Sequence, residues 1–160
     1  MLNKIDVEIL WTLKSLSKNS TKSDIVRNND KLIFDDKFRL RLLFLKDNDF
    51  IEMESIQDYG VHYRITKKSL DLIWSDVTMG NLLNLIQITN YTLDEIIRIV
   101  DDSPENIRAE LNSLEHGYSP MIEFSMTNEE KKFRLTSVGE QYLGNILHVN
   151  DIQTKDVTKK

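Results

Sequence analysis

The stretch Tyr63-Arg64-Ile65-Thr66, running into Lys67-Lys68-Ser69-Leu70, returns in the second half as Phe133-Arg134-Leu135-Thr136, running into Ser137-Val138-Gly139-Glu140. An aromatic-Arg-aliphatic-Thr strand end that leads twice into an amphipathic segment restricts the chain to folds built from two copies of one small module. The repetition also reaches upstream. Thr21-Lys22-Ser23-Asp24-Ile25-Val26-Arg27 matches Thr92-Leu93-Asp94-Glu95-Ile96-Ile97-Arg98. Each begins with a Thr followed three residues later by an acid, a spacing that satisfies the free amides of a helix's first turn.

Phe38-Arg39-x-x-Leu42-x-x-Leu45 matches Ile107-Arg108-x-x-Leu111-x-x-Leu114. Apolar residues at i, i+4 and i+7 draw one buried stripe along a helix. Ser103-Pro104-Glu105 adds a capping Ser, a Pro at the first turn and a favourable acid. Ile9-Leu10-x-x-Leu13-x-x-Leu16 and Leu82-Leu83-x-Leu85-Ile86 read as the first helix of each repeat. Alternation predicts two hairpins. One joins Ile51–Glu54 to Val61–Ile65 through a turn near Asp58-Tyr59-Gly60, the other joins Ile122–Met126 to Phe133–Leu135 through Asn128-Glu129-Glu130. A closing helix is expected after each, over 67–76 and 137–148.

The expected class is mainly α with small β-hairpins (α+β). The chain divides into a first domain over 1–77, a second over 78–148 and a disordered polar tail over 149–160. Three helices, a hairpin and a further helix resemble the winged helix-turn-helix superfamily. The likeness is to bacterial and archaeal transcriptional regulators of the multiple-antibiotic-resistance and phenolic-acid-decarboxylase types. Their wing ends in a Leu-Thr-x-x-Gly-x-x-x-Leu pattern, which Leu135-Thr136-x-x-Gly139-x-x-x-Leu143 matches. Ile65-Thr66 matches in the first repeat, but Ser69 stands where the pattern has Gly. The resemblance covers residues 7–147 as a tandem pair and implies two winged-helix domains that bind double-stranded DNA.

Residues 1–77 carry 13 Lys/Arg against 13 Asp/Glu, whereas residues 78–160 carry 8 against 13, so the net charge of −5 belongs to the second half. Duplex affinity comes largely from phosphate neutralisation, and any DNA contact therefore needs a local basic face. The chain has no Cys and three scattered His, which excludes thiol chemistry and gives no metal-ligand spacing. No Gly-rich phosphate loop or Gly-flanked nucleophilic Ser occurs. Neither catalysis nor a cofactor is expected. Apolar runs fall far short of a membrane span and no export signal is visible, so the expected compartment is the cytoplasm.

The second helix of a helix-turn-helix turns its outer face to the DNA groove. In the first repeat that face carries Leu40, Leu43 and Phe44, which read base edges poorly and suggest an interface with the other repeat, a second chain or a protein partner. A rotated helix with Leu43 in the core is the competing expectation. Phosphate contacts are expected from Lys22, Arg27, Lys31, Lys37, Arg39, Arg41, His62 and Arg64. In the second repeat Asn106, Arg108, Asn112 and Ser113 are the candidate groove residues, with Glu105, Glu110 and Glu115 opposing phosphate approach. Three functions remain open. One is a DNA-binding transcriptional regulator, with or without homodimerisation, the second is a tandem winged-helix interaction subunit of a larger assembly, and the third is a small-molecule sensor using a crevice between the repeats, for which no convergent polar set marks a site.

Overall fold

A computed structural model of the chain describes residues 2–70 and 78–146. Its class is α+β, with eight helices and two antiparallel hairpins among the described residues. The chain forms two compact units, Met1–Leu72 and Ile73–Lys160.

Unit 1 contains α1 (Lys4–Leu16), α2 (Lys22–Arg27), α3 (Asp36–Asp47), β1 (Ile51–Ile56), β2 (Gly60–Ile65) and α4 (Lys67–Leu70). Each helix starts where a side chain caps it. Asn3 and Asp6 form a capping box on α1, Thr21 and Asp24 form another on α2, and Asp35 accepts from the amide of Phe38 on α3. The core is built from Val7, Ile9, Leu10 and Leu13 of α1, Ile25 of α2 and the α3 row Phe38, Leu42 and Leu45. Ile51 and Tyr63 close it from the hairpin. Ser20 adds one antiparallel bridge to the hairpin edge, exchanging backbone bonds of 2.9 and 2.7 Å with Tyr63.

Unit 2 repeats this order with α5 (Met79–Thr89), α6 (Leu93–Ile99), α7 (Pro104–His116), β3 (Ile122–Thr127), β4 (Glu130–Leu135) and α8 (137–146). Thr92 and Glu95 box the start of α6, and Ser103 with Pro104 starts α7. Ile107, Leu111 and Leu114 face inward, as do Ile122 and Phe133 of the hairpin. On the matching edge Thr92 bridges Lys132, and the Phe133 amide donates to the Tyr91 carbonyl at 3.4 Å where Tyr63 donates to Ser20 in unit 1. The expected strands lengthen by one to three residues at the turns, most in β4, which takes in Glu130. Asn128 and Glu129, at φ 53° and 65°, form the two-residue connection of the second hairpin. Segments 71–76 and 147–148 of the expected closing helices, and the tail 149–160, lie outside the described residues.

The Thr of the repeated phrase is a clasp. The Thr66 hydroxyl donates to the Asp49 carbonyl at 2.7 Å, and the Thr136 hydroxyl donates to the Pro120 carbonyl at 2.7 Å. Their amides bond the next carbonyls, Phe50 at 3.2 Å and Met121 at 3.0 Å. Three residues on, the units part. A Cβ at Gly139 would lie 2.0 Å from the Met121 carbonyl oxygen. Ser69 occupies the same place in unit 1 and donates its hydroxyl to the Phe50 carbonyl. One unit closes by bare backbone approach, the other through a side-chain hydrogen bond.

Two polar contacts cross the unit 1 core. Arg41 grips Asp6, a residue with no exposed side-chain surface, through Nε at 2.8 Å and a second short contact from Nη2. Hydrogen bonding to Asp6 raises the Arg41 pKa above its ordinary value. The Asn29 amide donates to the buried Glu8 carboxylate at 3.0 Å and to the Thr12 hydroxyl at 2.8 Å.

Three stability outcomes follow from this geometry. Gly139→Ala should destabilise the chain by about 1–3 kcal/mol in denaturant melts, because backbone overlap outweighs the ~1 kcal/mol that Ala ordinarily gains in a helix. Arg41→Ala should cost about 3 kcal/mol, the low end for breaking a buried pair, since it strands the Asp6 carboxylate. The Thr21 amide holds the Asp24 carboxyl below its ordinary value. That contribution is complete above the unfolded carboxyl pKa near ~4 and is lost as pH falls through the lower folded value. The stability gap between the native chain and Asp24→Asn should therefore shrink in melts taken at progressively more acid pH.

Candidate functional site

The hairpins alternate inward and outward, and this assigns the repeated Arg. Glu52 faces Arg64 across the first ladder and Glu123 faces Arg134 across the second. Both pairs are closed: Arg64 grips Glu52, and Arg134 Nε lies 2.8 Å from Glu123. The arginines at the ends of the two hairpins are thus matched by a cross-strand acid on the solvent side.

The same holds for most of the expected phosphate-contact set in unit 1. Arg27 pairs with Asp24 at 2.6 Å, and Arg39 pairs with Asp36 at 2.9 Å while lying over the Phe34 ring at 4.8 Å. These pairs are exposed, and exposed pairs are worth little, so a phosphate oxygen can compete for those arginines. Arg41 is different. Expected to contact phosphate, it is instead turned back onto Asp6 and stacks over Phe44 at 4.1 Å. Its role is a clamp between α1 and α3. His62 is half-buried, with Nδ1 3.3 Å from the Gly60 carbonyl. Lys22 is half-buried on α2, while Lys31 and Lys37 are exposed around the approach to α3.

The outer face of α3 is apolar, as its sequence suggests. Leu40 is 64% and Leu43 53% exposed, which removes the expectation of a rotated helix with Leu43 in the core. Phe44 is half-buried beneath the Arg41 guanidinium.

In unit 2 the outer face of α7 is polar. Arg108, Ala109, Asn112, Ser113 and His116 are exposed, and Arg108 has no ion-pair partner among the described residues. Asn106 is exposed too, but its amide donates to Asp102 at 2.8 Å and belongs to the helix start. The glutamates expected to oppose a phosphate are partly withdrawn. Glu110 is half-buried, and Glu115 is tucked beneath Lys131, whose Nζ lies 3.2 Å from it and 4.1 Å above the Phe124 ring. Only Glu105, at the first turn, stays fully outward.

Between α7 and β4 lies a groove of about 260 Å³, lined by Arg108, Asn112, Glu115, His116, Lys131 and Phe133. Arg108, Asn112 and His116 stand four residues apart along one line of the helix, and Lys131 reaches in from the hairpin. The groove thus gathers one unpaired guanidinium, one carboxamide, one imidazole and one ammonium shared with Glu115. Neither Lys131 nor His116 is among the contacts expected from sequence. Lys131 lies two positions before the buried Phe133, so strand alternation alone places it on the side facing α7.

Among the described residues no group of three or more His, Asp or Glu side chains is placed to hold a metal ion. No described helix is long and apolar enough to cross a membrane. No protein-family model matches the chain, and no curated protein matches it in sequence.

Proposed function

We propose that this chain is a non-enzymatic, cytoplasmic DNA-binding transcriptional regulator built from two tandem winged helices, with the α7–β4 face of unit 2 as its duplex-reading surface. The observation that carries this is the outward row Arg108-Asn112-His116, whose neighbouring Glu115 is neutralised by Lys131. In helix-turn-helix readers the second helix of the motif enters the major groove. α7 holds that position after α6, its exposed side chains are short enough to approach base edges, and a carboxamide pairs at two points with adenine. Arg108 supplies positive charge that an acidic unit otherwise lacks, while Lys131 stays on Glu115 and keeps that carboxylate from repelling phosphate. Lys22, Lys37, Arg27, Arg39 and Arg64 of unit 1 add exchangeable backbone contacts that position without specifying sequence.

The runner-up is a winged-helix interaction subunit that binds protein and no DNA. The exposed Leu40 and Leu43 of unit 1 favour it. One experiment separates the two: fluorescence anisotropy and selection with a randomised duplex pool at about 50 mM salt, where electrostatic binding is strong. Arg108→Ala should weaken binding to all duplexes and lower the salt slope by about 1, while Asn112→Ala should cost about 1–3 kcal/mol on the selected site alone. No enrichment and no binding at low salt would sink the DNA reading and leave the protein-interaction reading standing.

A further inference from the structure

The outer row of α3 runs Asp36, Leu40, Leu43 and Asp47, opposite the buried row Phe38, Leu42 and Leu45. Two exposed leucines alone would be ordinary on a protein surface. Their setting is not. The helix reads Asp-Lys-Phe-Arg-Leu-Arg-Leu-Leu-Phe-Leu-Lys-Asp, and much of it mirrors about the midpoint between Arg41 and Leu42. Asp36 mirrors Asp47, Lys37 mirrors Lys46, Leu40 mirrors Leu43, and the buried Phe38 mirrors the buried Leu45. An isologous two-fold contact needs a patch that complements its own copy, and a row with leucines at its centre sets leucine on leucine when an antiparallel copy meets it. We propose that α3 pairs with α3 of a second copy of this chain, antiparallel, about a two-fold axis through that midpoint.

Charge supports this occupant. At 100° per residue, Lys37 lies on one flank of the outer row, and Arg39 and Lys46 lie on the other. Antiparallel pairing sets Leu40 against Leu43 of the second chain and brings Asp36 level with Asp47 of the second chain. Each pair of acids is then bracketed by Lys37 on one side and by Arg39 with Lys46 of the second chain on the other. The four leucines are closed at both ends by compensated charge. A parallel pairing would place four cations around one acid pair and two around the other, and would align the helix dipoles unfavourably. Phe44, under the Arg41 guanidinium, widens the seam on the Lys37 flank. A 12-residue helix is only about 18 Å long, so the contact sits at the small end of specific interfaces and association should depend on concentration across the micromolar range.

The test is sedimentation of the full chain without nucleic acid, from about 5 to 500 µM, a range chosen to bracket micromolar affinity. The mass should rise from 18.8 kDa towards the dimer. Leu40→Asp and Leu43→Asp should each hold it at the monomer with an unchanged thermal melt, both side chains being exposed. Register is read by cysteines, of which the native chain has none. Asp36→Cys mixed with Asp47→Cys should cross-link through a short bis-maleimide faster than either alone, because like positions lie about 16 Å apart along antiparallel helices. A monomer at every concentration, a dimer indifferent to Leu43→Asp, or faster Asp36→Cys self-cross-linking would overturn the proposal. The mass readout needs no DNA, so this inference and the duplex-reading surface can fail independently.

Discussion

A two-stranded hairpin does not hold itself together in water; it needs a third element to cover one of its faces. In both units that cover is the helical core, and the contact is made by two side chains, Ile51 with Tyr63 in one and Ile122 with Phe133 in the other, all at most 5% exposed. Everything outside the core inherits its direction from them. Because strand side chains alternate, burying Tyr63 turns His62 and Arg64 outward, and burying Phe133 turns Lys132 and Arg134 outward while Lys131 stays on the α7 side. A one-residue slip would place Arg64 or Arg134 in the core. The Thr clasps at 66 and 136 and the edge bridges at Ser20 and Thr92 hold the hairpin in the register that keeps them out.

That constraint acts on few positions, which explains how two units with one buried pattern carry different surfaces. On α3 and α7 the inward rows are Phe38-Leu42-Leu45 and Ile107-Leu111-Leu114, interchangeable in kind. Nothing in the core restrains the outward rows, and there the helices part: leucine on α3, short polar groups on α7. The closing helices show the same freedom at closer quarters. Ser69 and Gly139 meet equivalent carbonyls, one by donating a hydroxyl and the other by having no side chain.

Much of this architecture was legible locally. Thr-x-x-acid spacings marked the starts of α2 and α6, Ser103-Pro104 marked α7, and strand alternation identified both hairpins to within three residues. These signals are short-range, set by backbone amides and by the 3.6- and 2-residue periods. The capping box of Asn3 and Asp6 belongs to the same class. The contacts that decide the candidate site are of another kind. Arg41 reaches Asp6 across 35 positions, Asn29 reaches Glu8 across 21, and Lys131 reaches Glu115 across 16. No local period encodes such pairs. Arg41 therefore looked like a surface cation and Glu115 like a barrier to phosphate, until the fold gave each its partner.

Charge counting along the chain consequently overstates how much arginine charge unit 1 leaves free. Unit 1 has the larger share of arginine and lysine, yet Arg27, Arg39, Arg41 and Arg64 each face a carboxylate of their own. Unit 2 lies in the more acidic half, yet Arg108 stands uncommitted and the nearest glutamate is covered. What an incoming phosphate meets is the charge left over after internal pairing, weighted by how cheaply each pair exchanges. An exposed pair such as Arg39–Asp36 yields at little cost, whereas Arg41 cannot leave Asp6 without stranding a buried carboxylate. What separates the two outer faces is therefore their chemistry: α7 sets Arg108 beside short polar side chains, whereas the outer row of α3 presents Leu40 and Leu43.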